Sequence, residues 1–82
     1  MQVNSKVQAA AAKYDFAGIE AKRGLPQGIL SAIMMQESRG NANAYNSKTG
    51  AAGAFQFMPA TAKRFNVDTS SVKSSAEGAG KI

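Results

Sequence analysis

Glu37–Ala62 reads ESRGNANAYNSKTGAAGAFQFMPATA. A carboxylate closes an apolar run, a loop of small and polar residues follows, and Gln and Met then alternate with Phe ahead of a proline. The chain carries only five carboxylates in 82 residues. One of them placed at the end of an apolar segment therefore bears on both fold and chemistry.

Upstream of it, Gly28–Ser38 reads GILSAIMMQES. Pro26 opens this segment where its missing N–H does no harm, and the spacing predicts a helix from Gln27 to about Ser38, stopped by Gly40. Glu37 follows Leu30 by seven residues, Ile33 by four and Met34 by three, so it shares their face. At 100° per residue it lies about 20° from Leu30 and about 40° from Ile33. A carboxyl on an apolar face is favoured in its protonated form by desolvation, and the helix dipole in the last turn pushes the same way. A protonated carboxyl is what general-acid catalysis uses. The alternative is a frayed final turn with Glu37 pointing into water.

Toward the N-terminus, Val3, Val7, Ala10, Tyr14, Ala17 and Ala21 recur every three or four residues, with Phe16 and Ile19 widening the face. This periodicity predicts one long helix, capped by Asn4 or Ser5 and ended by Gly24. Beyond Glu37, Asn41–Ala54 reads as a loop. Phe55–Met58 reads as extended, with the phenylalanines on one side and Gln56 and Met58 on the other. Pro59 starts a short helix to about Asn66. Ser70–Ser75 is a polar connector, and Ser75 caps a further helix expected to begin only as the sequence stops at Ile82. There is no internal repeat.

The large apolar side chains are few: Val3, Val7, Tyr14, Phe16, Ile19, Leu25, Ile29, Leu30, Ile33, the methionines, Phe55, Phe57 and Phe65. The alanines add little burial. A core this thin has little to set against the entropy of ordering the chain.

Composition removes several chemistries. Without Cys or His there is no disulfide framework, no thiolate metal site and no imidazole base. Acid–base work falls to Asp, Glu, Lys or Tyr. The net charge of +5 favours a polyanionic partner, such as nucleic acid, an anionic membrane face or an acidic wall polymer; the basic residues are scattered. Met1–Lys13 has no apolar core of a secretory signal, and the longest apolar run, Ala9–Ala12, is far too short to span a bilayer. Lys48-Thr49-Gly50 and the Ser70/Lys73 pair spell β-lactamase elements in reversed order on too small a chain. A phosphate loop is absent.

Two motifs, the apolar helix ending Glu37-Ser38 and Ser47–Ala62 (SKTGAAGAFQFMPATA), stand in order and at a separation that resembles the soluble-type lytic transglycosylases, related to goose-type lysozyme. The resemblance covers about Leu25 to Phe65. It implies a mainly α, lysozyme-like fold with at most a short extended pair. It also implies Glu37 as a single catalytic acid with Ser38 its neighbour, Ser47 near the sugar's acetamido group, and Gln56 and Met58 touching sugar. Gly50 and Gly53 match glycines that let the loop backbone pass close to the glycan. Ala54 and Phe55 stand where Leu and Met are usual. The family's Ala-Tyr-Asn motif is expected beyond Ile82; Ala44-Tyr45-Asn46 has its spelling inside the loop and is not assigned that role. Residues 1–82 thus read as one domain, C-terminally incomplete, that would not be a self-sufficient enzyme and would be ordered by further chain or by partners.

Most glycosidases use two carboxylates, yet Asp15, Glu20, Asp68 and Glu77 sit in no recognisable motif. The resemblance implies that one suffices. Glu37 protonates the glycosidic oxygen between N-acetylmuramic acid and N-acetylglucosamine, the substrate's acetamido group supports the cationic centre, and Glu37 then takes the proton of the attacking 6-hydroxyl. The product is a 1,6-anhydro sugar, and no metal or cofactor is needed. The expected partners are peptidoglycan strands and other chains of a phage particle or secretion assembly, with no nucleic acid and no membrane span. The site of action is the periplasm or cell wall, reached in a virion or as part of a longer precursor. A non-catalytic structural or glycan-binding module is the rival reading, and a small basic helical nucleic-acid-binding domain a lesser one.

Overall fold

The computed structural model describes residues 2–82. Helix α1 spans Ser5–Lys13, α2 Phe16–Arg23, α3 Ile29–Ser38, α4 Pro59–Arg64 and α5 Val72–Ala79. The fold is mainly helical, as expected, but the single long N-terminal helix is two. Asp15 adopts a left-handed conformation (φ 51°) and its side chain accepts from the Gly18 N–H, capping α2. Apolar spacing continues across the break because both halves bury the same side, Val7 and Ala10 before it and Phe16 and Ile19 after it. Periodicity therefore cannot see the break; the short polar side chain that tolerates the left-handed region and offers a cap makes it.

Helix α3 begins at Ile29 rather than Gln27, with Gly28 as its cap residue at φ 91° and no side chain of its own to cap it. Glu20 does that work from α2. It is only 3% exposed. Its Oε1 accepts from the Gly28 N–H and its Oε2 from the Leu30 N–H, each at 2.9 Å. The other end of α3 is also held. Arg39 turns left-handed (φ 53°), and its carbonyl accepts from Asn4 Nδ2 at 2.7 Å. Asn4 Oδ1 meanwhile caps α1 through the Val7 N–H at 2.9 Å. Gly40, at φ 87°, packs against α1 so closely that a Cβ there would lie 2.7 Å from Lys6 Cβ.

Helix α5 forms within the chain and contains Glu77 and Ala79, but Ser71 rather than Ser75 caps it, accepting from the Ser74 N–H. Ser75 is fully buried one turn inside. The preceding turn explains the shift: Asp68 Oδ1 accepts from the Ser70 hydroxyl at 2.6 Å and the Ser70 N–H at 3.0 Å, and Ser74 Oγ accepts from the Asp68 N–H. The Ser70 hydroxyl, with the Ser70 N–H behind it, holds the Asp68 carboxyl below its ordinary value. A carboxyl depressed in the folded state supports the fold above its unfolded value and loses that support as pH falls through the folded one. The Ser70 amide resonance, followed by NMR, should therefore titrate with a midpoint below that of Asp in a short peptide. A midpoint at or above the peptide value would contradict the turn.

The core gathers Val7, Phe16, Ile19, Leu30, Met34, Phe55 and Phe57. Phe16 meets Phe55 edge-on at 5.9 Å between ring centroids. Ala10, Ala51, Ala54, Ala62 and Ala76 are buried too, so alanine contributes more than expected: small side chains let short helices approach. Val3, Tyr14, Leu25, Ile29, Ile33 and Met35 pack against this core half-buried, and Phe65 is likewise half-buried. The extended pair reduces to two isolated antiparallel bridges, Tyr45 to Ala52 and Ala52 to Phe57. The α4 helix ends at Arg64, two residues short of expectation.

Candidate functional site

The Ala52–Phe57 bridge is closed by the turn Gly53–Gln56, which seats Phe55 and Phe57 in the core and turns Met58 outward at 44% exposure. An open groove of about 300 Å³ results, lined by Ile33 of α3, Gln56, Met58, Thr61 of α4 and, from the α5 end, Ala79 and Ile82. Its walls are mostly apolar side chains. Gln56 and Met58 thus come together as the sequence reading expected, although Gln56 lies in a turn rather than a strand.

Gln56 is a non-glycine residue at φ 52°. Its Nε2 donates to the carbonyls of Ala44 at 3.0 Å and Gly53 at 2.9 Å, so both donors bind the loop to itself and the amide oxygen remains an acceptor. Gln56→Ala keeps the left-handed strain and loses both bonds; we expect it to destabilise the fold by about 1–3 kcal/mol. Gln56→Gly relieves the strain and should cost less. Urea midpoints compare the two, and an alanine variant as stable as the parent would remove this role.

Glu37 does not enter the apolar face. The buried stripe of α3 is Leu30 and Met34, while Gln36 and Glu37 are exposed. The last turn is not frayed either: the Arg39 N–H donates to the Met35 carbonyl at 3.1 Å, and Ser38 Oγ donates to the Met34 carbonyl and accepts from the Gly40 N–H, each at 3.2 Å. The physical reason is the cover. The start of α1 lies over the Ser38–Gly40 side of the helix end, and Glu37, about 100° around from Ser38, projects clear of it. Ile33, which lines the groove, is one helical turn before Glu37 on nearly the same side.

The remaining expected site residues lie elsewhere. Ser38 serves the end of α3. Ser47 is exposed in the turn 46–50, where the Gly50 N–H donates to the Asn46 carbonyl at 2.7 Å, and neither Ser47 nor Gly50 lines the groove. Gly53, at φ 83°, passes so close to the Thr69 carbonyl that a Cβ would collide with it, a close approach within the chain itself. Sequence reasoning missed Glu20. The signal was available: α3 begins without a Ser, Thr, Asp or Asn cap, and a helix start buried without an acceptor is costly, while Glu20 follows Phe16 by four residues on the buried face of α2.

A small helical domain is thus defined, with a carboxylate at the end of a helix pinned at both ends and a loop closing a groove one turn away. The family model for the transglycosylase SLT domain matches residues 16–78, and the chain belongs to that family. No curated protein and no solved structure matches it. The family is one of lytic transglycosylases acting on peptidoglycan, with a lysozyme-like fold. No helix among the described residues is long and apolar enough to cross a membrane.

Proposed function

We propose that the protein carrying this domain cleaves the β-1,4 bond between N-acetylmuramic acid and N-acetylglucosamine, with Glu37 as acid and then base and a 1,6-anhydro product. One observation carries the reading. Among the described residues, every other carboxylate is engaged: Asp15 caps α2, Glu20 caps α3, Asp68 holds the turn before α5, and Glu77 pairs with Arg23 at 3.2 Å. Glu37 is exposed and makes no hydrogen bond or ion pair; it does not itself line the groove, but it follows by one helical turn Ile33, which does. It is the side-chain carboxylate that no structural contact occupies, which supports its assignment to the chemistry.

A one-carboxylate reaction balances. The acid form of Glu37 gives its proton to the glycosidic oxygen as the C1–O bond breaks. The substrate's acetamido group supports the electron-poor C1. The Glu37 carboxylate takes the proton of the muramyl 6-hydroxyl, whose oxygen closes onto C1. Gln56 and Met58 would border the sugar, Gln56 through its free amide oxygen, and Ser38 would support the helix end that carries Glu37. Ser47, Gly50 and Gly53 would shape the outer loop around a longer strand. Peptidoglycan lies outside the cytoplasm, and carriage in a phage particle or secretion assembly would deliver the chain to it.

The test is incubation with purified sacculi, followed by turbidity and mass analysis of the released muropeptides. Anhydro products support the reading, and reducing-end products would make the chain a lysozyme instead. The exposure of Glu37 favours one other reading, a module that binds glycan without turnover. Sacculus binding that leaves turbidity unchanged would select it.

A further inference from the structure

On the far flank of α5 from the groove, α1, α2 and α5 enclose an open cleft of about 360 Å³. Lys73 and Glu77 face this cleft and Ala79 faces the groove, as expected on one helix where Glu77 lies about 200° and Lys73 about 120° from Ala79. Three lysines line the cleft, Lys13 from the end of α1, Lys22 from α2 and Lys73 from α5, with Tyr14 and Ile19 beside them. Two carboxylates also line it, but both have partners: Asp15 accepts from the Gly18 N–H and Glu77 pairs with Arg23. The Arg23–Glu77 bridge is the one ion pair among the described residues, so none of the three lysines is in a direct ion pair, and they outnumber the one carboxylate of the lining, Asp15, that has no cationic partner. The Lys13 ammonium sits 5.4 Å from the centre of the Tyr14 ring.

We infer that this cleft is a second binding site, for the phosphodiester groups of an anionic cell-wall polymer. The donors are ammonium point charges without an arginine fork. Lysine binds phosphate as a compact point charge that needs no fixed two-point geometry, which suits a flexible chain of repeating anions. The other cations, Lys6, Arg39, Lys48, Lys63, Arg64 and Lys81, do not line the cleft, and this placement differs from the continuous basic stripe of a nucleic-acid surface. The identity of the polymer rests on the peptidoglycan reading; the anion site itself does not. Held there, an anionic polymer threaded through the wall would keep the chain on its substrate between cleavage events.

The probe is soluble polyglycerol phosphate, its binding to the full chain measured by titration at several salt concentrations, with duplex DNA of equal charge in parallel. Binding of polyglycerol phosphate should weaken at least about tenfold in the triple variant Lys13→Gln, Lys22→Gln, Lys73→Gln. Its log–log salt slope should flatten by about 2, as expected for three lost charge contacts. Glu37→Gln should leave this binding unchanged while altering any lysis of sacculi, which separates failure of this site from failure of the proposed activity. A triple variant that binds as tightly as the parent, or DNA that binds more tightly than polyglycerol phosphate, would overturn the inference.

Discussion

Glu37→Gln should lower the rate of anhydromuropeptide release from sacculi by about 10²–10⁴-fold, the range for a positioned general acid–base group. An effect near the upper end is expected because the same side chain serves both proton transfers in the proposed reaction. The amide is nearly isosteric and has no proton to give at the glycosidic oxygen, so the loss should fall on kcat, with affinity for the glycan retained. Stability supplies the control. Glu37 is exposed and makes no hydrogen bond among the described residues, so the stability should change by no more than is typical of surface substitutions, about 0.5 kcal/mol. A variant that lyses sacculi at the parental rate would reject Glu37 as the catalytic group. A variant that loses activity only because it unfolds would contradict the free position the side chain occupies.

Glu20→Gln should be the most damaging change to stability. Both oxygens of this buried side chain accept backbone N–H bonds, from Gly28 and Leu30. An amide retains one acceptor and turns an NH₂ group against the second N–H, leaving two donors facing each other in a buried place. The expected cost is about 2–4 kcal/mol, from the lost bond and the unsatisfied donors. In a domain of this size that lowers the midpoint by roughly 10–25 °C. Scanning calorimetry of the parent, Glu20→Gln and Glu20→Asp makes the comparison, since Asp keeps both acceptors but reaches less far. A Glu20→Gln variant melting within a few degrees of the parent would show that the start of α3 does not depend on this cap. Because α3 carries Glu37 at its other end, the same variant tests whether the placement of the candidate acid depends on the far end of the helix.

Much of the framework was legible because it is written in local chemistry. The apolar spacing of Leu30 and Met34, the glycine at Gly24, the Asn4 cap and the proline opening α4 each act over one or two turns of chain, and each did what its residue type favours. So did the pairing of Phe55 and Phe57 on one side of the segment before Pro59. The two motifs around Glu37 and Gln56 pointed to the family to which the chain belongs. What the sequence by itself could not decide depends on groups far apart in the chain. Glu20 was one carboxylate among five until α2 packed against the start of α3 and turned it into a cap. Glu37 shared a helical face with Leu30 on paper, yet burial is set by whether a neighbour covers that face, and the start of α1 covers the Ser38 side instead. The break at Asp15 kept the apolar period intact, so only the path of the backbone reveals it. Periodicity reports which residues share a side of a helix; the packing of the other elements decides which sides are dry.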